Sequence, residues 1–98
     1  MRGGKYTPFG YRNVVYQTGA GTGSPLHRHP AAEDLLVIAG RWEVVVGDEK
    51  FVLEPDGEWL LHIEADIPHR VTLLSETGTI CVLGGLDYRE EDIVKLED

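Results

Sequence analysis

Between Arg12 and Leu83 the chain is dominated by short runs in which apolar and polar positions alternate. A strand sends successive side chains to opposite faces, so this period of two marks half-buried strands. Strands are expected over Arg12–Thr18, Glu33–Ala39, Arg41–Val46, Lys50–Glu54, Trp59–Ile63, His69–Leu74 and Thr79–Leu83. Turn chemistry separates them. Gly19 to Pro25 holds three glycines and is a loop, and Gly40 permits a tight turn. Gly47-Asp48 marks a hairpin, with glycine first as a II′ turn prefers. Pro55-Asp56-Gly57 and Glu76-Thr77-Gly78 are further turns, Ala65–Pro68 is a short crossover, and Gly84-Gly85 ends the pattern. Seven or eight strands so punctuated indicate an all-β sandwich or barrel.

The two ends read differently. Met1–Gly10 is polar, glycine-rich and interrupted by Pro8, which predicts an irregular lead-in or arm. Tyr88–Leu96 is the single helical candidate, because Ile93 and Leu96 lie three apart and Glu90, Glu91 and Asp92 come early. Composition bounds the rest. Ninety-eight residues suit one domain, residues 1–98, and 42% hydrophobic with 27% charged residues is ordinary for a soluble globular chain. A formal charge of −8 argues against nucleic acid or an anionic membrane as partner and fits a cationic or neutral small ligand. Cys81 is the lone cysteine, so no intrachain disulfide can form, and a reducing cytoplasm is the expected location. The opening residues lead into no apolar signal region, and no run approaches a membrane helix.

Chemistry concentrates in Gly21–Gly40. His27 and His29 are two apart, so an extended backbone, which Pro25 and Pro30 favour, projects both imidazoles to one side. Glu33 follows at an even offset and keeps to that side if no bulge intervenes. It precedes the apolar run Leu35–Ala39 and so stands at the mouth of a core. A histidine in a polar turn usually lies in solvent, but two imidazoles and a carboxylate on one face suit a divalent transition metal.

This stretch resembles the first cupin motif: Gly, five residues, His-x-His, three or four residues, Glu, six residues, Gly. Gly21, His27, His29, Glu33 and Gly40 match each fixed position. The second cupin motif is matched in part by Glu64-Ala65-Asp66-Ile67-Pro68-His69. There Glu64 stands for Pro, Asp66 for Gly and Leu73 for Asn, and Gly57 lies one residue too far upstream. The resemblance covers about residues 12–86. It implies a double-stranded β-helix, or jelly-roll, barrel of two antiparallel sheets, and it supplies His69 as the fourth ligand. One divalent ion, Fe, Mn, Ni, Cu or Zn, is then expected on His27, His29, Glu33 and His69, with one or two open positions.

If inward parity follows these ligands, Trp42, Val44, Phe51, Leu61, Val71 and Leu73 line the barrel, with Tyr16 near one end. Such a wall favours a small, partly aromatic or oxygenated ligand over a sugar nucleotide. His62 falls on the opposite face from Trp59, Leu61 and Ile63. It is therefore expected at the surface if the tryptophan side is the core, and in the cavity if the parity is reversed. Cys81 reads as a small buried hydrophobe. Asp34 and Asp66 read as solvated turn or edge residues. Leu36 and Ile38 point outward. A terminal segment or a second copy of the chain could cover them, and a homodimer is the expected answer. Functionally, a metal-dependent oxygenase, or else a lyase or isomerase, acting on a small organic molecule is expected. The alternative is a binding or sensing module without catalysis. A structural barrel is disfavoured because the ligand quartet is retained.

Overall fold

Two five-stranded sheets, with every pairing antiparallel, account for the expected strands. They are seen in a computed structural model that describes residues 5–7, 10–84 and 93–96. The strands are β1 Lys5–Thr7, β2 Gly10–Thr18, β3 His27–Arg28, β4 Glu33–Ala39, β5 Trp42–Val46, β6 Glu49–Leu53, β7 Leu60–Ile63, β8 His69–Leu73, β9 Thr77–Gly84 and β10 Val94–Lys95. One sheet runs β1-β2-β9-β4-β7 and the other β10-β3-β8-β5-β6. No helix among the described residues is long and apolar enough to cross a membrane.

The sheets face each other across an apolar core in which Leu35, Trp42, Val44, Leu53, Ile63 and Leu73 are almost fully buried. Alternation holds in β4 from Glu33 to Ile38, before a register shift against β9 at Ala39. Glu33, Leu35 and Val37 are buried, while Asp34, Leu36 and Ile38 lie on the other face. Trp42 brings a polar atom into this core, and its indole N–H donates to the Ala39 carbonyl at 3.0 Å. That bond meets the requirement of a buried ring donor.

Several expectations change. The lead-in is not irregular at Lys5–Thr7, which pairs with Gly10–Arg12 as a hairpin. The helix expected over Tyr88–Leu96 is contradicted at Val94–Lys95, which form an edge strand against β3; residues 88–92 lie outside the described residues. An unpaired strand edge offers backbone partners that outweigh the weak i, i+3 signal of Ile93 and Leu96. The Glu76–Gly78 turn falls earlier, since β9 begins at Thr77. Gly78 serves close packing instead: a Cβ there would lie 2.7 Å from Leu73 Cδ1 and 2.9 Å from the Trp42 ring. Tyr16 is outward and 68% exposed, while Val15 and Gln17 face the interior. Trp59 precedes β7 and is half exposed; it gives its carbonyl to the Val37 N–H. The II′ expectation for Gly47-Asp48 agrees with the backbone, where Gly47 has φ +57° and Asp48 no positive φ.

Gly40 connects β4 to β5 at φ +84°, and a Cβ there would meet Thr77 O at 2.6 Å and Gly78 Cα at 2.7 Å. Both neighbours are backbone and cannot swing aside. Gly40→Ala should therefore cost about 2–4 kcal/mol. Gly47→Ala, also at positive φ but with open space around it, should cost about 1 kcal/mol. Urea-unfolding midpoints of the two variants would read the difference.

Candidate metal centre

β3 and β8 meet at one residue pair, His27 opposite His69. Opposed residues of an antiparallel pair project to the same face, so the pairing alone sets two imidazoles side by side. Their ring centroids are 4.3 Å apart. His29 lies past the end of β3, and its carbonyl accepts the Asp66 N–H at 2.8 Å. That bond ties the β3–β4 connection to the Ala65–Pro68 turn, and the His29 ring comes within 4.9 Å of His69. Asp66 adopts φ +63°, at the position where the second motif expects glycine. Aspartate is among the few residues that tolerate this region, which explains how the turn survives the replacement.

Glu33 opens β4 and is buried, with Oε1 2.5 Å from His29 Nε2 and 3.8 Å from His69 Nε2. One nitrogen from each of His27, His29 and His69 lies within 4.8 Å of the others. The fold thus brings together all four residues singled out from the sequence.

Backbone carbonyls orient two of the rings. His27 Nδ1 donates to Pro25 O at 2.7 Å, and His69 Nδ1 donates to Ile67 O at 2.8 Å. With the proton held on Nδ1, the Nε2 lone pair is left for a ligand, the arrangement that metal-binding histidines adopt. His69 Nε2 is buried and has no hydrogen-bond partner among the described residues, a costly state for a polar atom unless something binds it. Burial also pushes the His69 pKa below the ordinary histidine value, against the opposing pull of the Ile67 carbonyl and Glu33. The neutral, metal-binding form is thereby favoured. A divalent ion liganded by nitrogen and oxygen fits this donor set. The two carbonyls were missed in the sequence, where the only signal was that each stands two residues before its histidine.

The centre opens into a cavity of about 320 Å³, reached by His27, Glu33 and His69. Its walls differ from those expected. Trp42 and Val71 do line it, but Val44 and Leu73 are buried in the solid part of the core, with Phe51 and Leu61 packed around it. The open part is walled instead by Val15, Leu35, Ile80, Val82 and Ile93.

Residues 13–83 match the family model described as Cupin domain. The chain belongs to the cupin family. No curated protein matches it in sequence. Among solved structures it resembles a cupin 2 domain-containing protein from Halorhodospira halophila, with a TM-score of 0.72 and 19% identity over 87% of this chain and 62% of that one. It also resembles a dTDP-4-dehydrorhamnose 3,5-epimerase from Elizabethkingia anophelis NUHP1, with a TM-score of 0.81 and 17% identity over 91% of this chain and 57% of that one. A structure described under the DMSP lyases RdDddP and RnDddQII has a TM-score of 0.72 and 23% identity, over 89% and 44% of the two chains. The chain thus spans less than two thirds of each, and likeness at this identity is likeness of fold.

His62 lies outside the cupin barrel. It is exposed on β7, with Nδ1 2.8 Å from Asp34 Oδ1 and Nε2 3.1 Å from Glu64 Oε1. Asp34, expected as a simple solvated residue, is therefore a histidine partner. Its hydrogen bond, with Glu64 adding to it, holds the His62 pKa above the ordinary value of 6.5. The folded protein then binds this proton more tightly than the unfolded chain does. The contact stabilises the fold below the unfolded pKa, and the gain is lost as pH rises through the folded value. Exposure keeps the effect small. An NMR titration should place the His62 pKa above 6.5, and Asp34→Asn should return it toward that value.

Proposed function

We propose that this cupin holds one divalent transition metal on His27, His29, Glu33 and His69 and acts as a metal-dependent enzyme on a small organic substrate bound in the barrel. The observation carrying this reading is the set of imidazoles beside an open cavity, two of them lining it and locked by backbone carbonyls with Nε2 left to bind. Three imidazoles and one carboxylate would leave one or two positions of a five- or six-coordinate ion for substrate, as catalytic sites require. A bound ion would supply Lewis acidity toward substrate oxygens. The protein's own part is orientation and exclusion of water. Pro25 O and Ile67 O fix the rings, and Val15, Leu35, Val71 and Val82 give an apolar wall.

Oxygenation is the reaction class we favour, with elimination and isomerisation beside it. The lyase and epimerase named among the similar structures keep those two classes in view. A sugar nucleotide as substrate fits poorly, because the apolar cavity offers few partners for a sugar and a diphosphate.

The proposed functional form is a homodimer. Val14, Cys81, Leu36 and Leu60 stand opposite one another across β2, β9, β4 and β7, giving an apolar row on the outer face of that sheet. Tyr16 and the half-exposed Ile38 extend it, and Val14 and Leu60 within it are half exposed while Cys81 between them is buried. Exposed apolar patches of this kind commonly mark protein contacts.

Elemental analysis of the purified protein should find one divalent transition metal per chain. His27→Ala or His69→Ala should lower metal affinity by at least about 10-fold, while His62→Ala should leave metal content unchanged. Substrate turnover under air with the metal identified would support the enzyme; tight ligand binding without turnover for any of the three reaction classes would sink it. Sedimentation velocity at tens of micromolar should show a dimer that Ile38→Glu with Leu60→Glu converts to monomer. A monomeric parent protein would remove the dimer from the proposal.

A further inference from the structure

β10 forms one wall of the cavity beside the metal centre. It pairs with β3 at two positions, Val94 with Arg28 and Lys95 with His27, and the Leu96 N–H donates to Leu26 O at 2.9 Å. Cross-strand partners share a face, so Lys95 takes the inward face of His27 while Val94 turns out with Arg28. The lining agrees: Ile93 and Lys95, two residues apart, both border the cavity and Val94 does not, while Lys95 also reaches solvent. Lys95 is the only cationic side chain lining the cavity among the described residues, and none of those residues forms an ion pair with it.

The charge along the cavity lining therefore differs from that of the chain, since Lys95 offsets Glu33. The formal charge of −8 suggested a cationic or neutral ligand, but among the described residues Glu33 is the only carboxylate lining the cavity. With a divalent ion bound, Glu33 would cancel half of its charge, and Lys95 would add a further positive one. Low-dielectric walls strengthen what such charges do to an entering molecule.

We infer that Lys95 is the anion-binding group of this pocket and that the substrates are small carboxylates with an apolar body. This rests on the metal-dependent function proposed above and names its substrate class. The carboxylate pairs with the Lys95 ammonium beside His27, and the apolar body lies against Val15, Val71, Val82 and Ile93. A phosphate ester is a poorer match, since the described lining residues offer one ammonium and no guanidinium.

The test uses the protein loaded with Zn(II), which has no redox chemistry, and titration calorimetry with hexanoate, benzoate and phenylpyruvate. Hexanamide, benzamide and inorganic phosphate are the comparison probes. The carboxylates should bind at least about 10-fold more tightly than the matching amides. Lys95→Gln should remove that advantage and leave amide binding unchanged. Lys95→Arg should keep most of it, and all three proteins should carry the same metal content. A parallel series on metal-free protein separates the two proposals. If the protein takes up no metal, the proposed function fails, while Lys95-dependent preference for acid over amide still supports the inference. Equal affinity for acid and amide overturns it, as does a Lys95→Gln effect of the same size on both. Failure of every carboxylate to bind at millimolar concentration overturns it as well. Phosphate bound more tightly than each carboxylate overturns the substrate class.

Discussion

The cross-strand pair of His27 and His69 is the contact through which the rest of the candidate site is assembled. It joins the first histidine segment to a strand separated from it by four others in the chain, and it does so through backbone hydrogen bonding that is indifferent to the side chains. Once β3 and β8 are in register, pleating decides that both imidazoles emerge on the same side. His29 cannot belong to that ladder, because β3 is two residues long, so a separate bond from the Asp66 N–H to its carbonyl holds it. Glu33 is placed by a third device, the pairing of β4 with both β7 and β9. Three independent backbone constraints converge on one small volume, the kind of support a preorganised centre needs.

The same barrel is solid in one half and open in the other. Trp42 and Leu73 fill the solid half, and they do so because Gly78 on the facing sheet gives up its side chain to them. Interiors pack to crystal-like density, so a large ring on one sheet needs a missing group on the other. Toward the histidines Val15, Val71 and Val82 stand at inward positions, and the space left beside them and the Trp42 ring is the cavity. Side-chain size among the inward residues thus decides which half of the barrel is open.

Much of this was legible because a period of two is a strong signal. The strands β2 and β4 to β9, the clustering of His27, His29, Glu33 and His69, and the all-β class follow from alternation, turn residues and the motif. What was lost was lost for identifiable reasons. Val14, Val15 and Tyr16 are all suited to a strand and carry no polar marker, so which of them faces inward depended on pairing with β9. Gly78 looked like a turn residue because a glycine needed for close approach and one needed for chain reversal are the same letter. The edge strands β1 and β10 owe their form to neighbours distant in sequence, and local propensity had no access to those. The carbonyls of Pro25 and Ile67 are backbone groups, and residue identity does not encode them.

β4 shows how closely two different surfaces are coupled. Its odd-numbered residues Glu33, Leu35 and Val37 serve the site and core, and its even-numbered residues Asp34, Leu36 and Ile38 serve the outer face. A slip of one residue would exchange the two sets, placing Glu33 outside and Asp34 within. Pairing to both neighbours makes such a slip expensive, since Glu33 is held opposite Ile63 on one side and Gly84 on the other. The Asp34–His62 contact adds a side-chain lock one residue further along the same pair of strands. A group that is exposed and remote from the histidine cluster therefore helps to fix the register on which that cluster depends. The weak, exposed contact matters for where it stands in the ladder more than for its own strength.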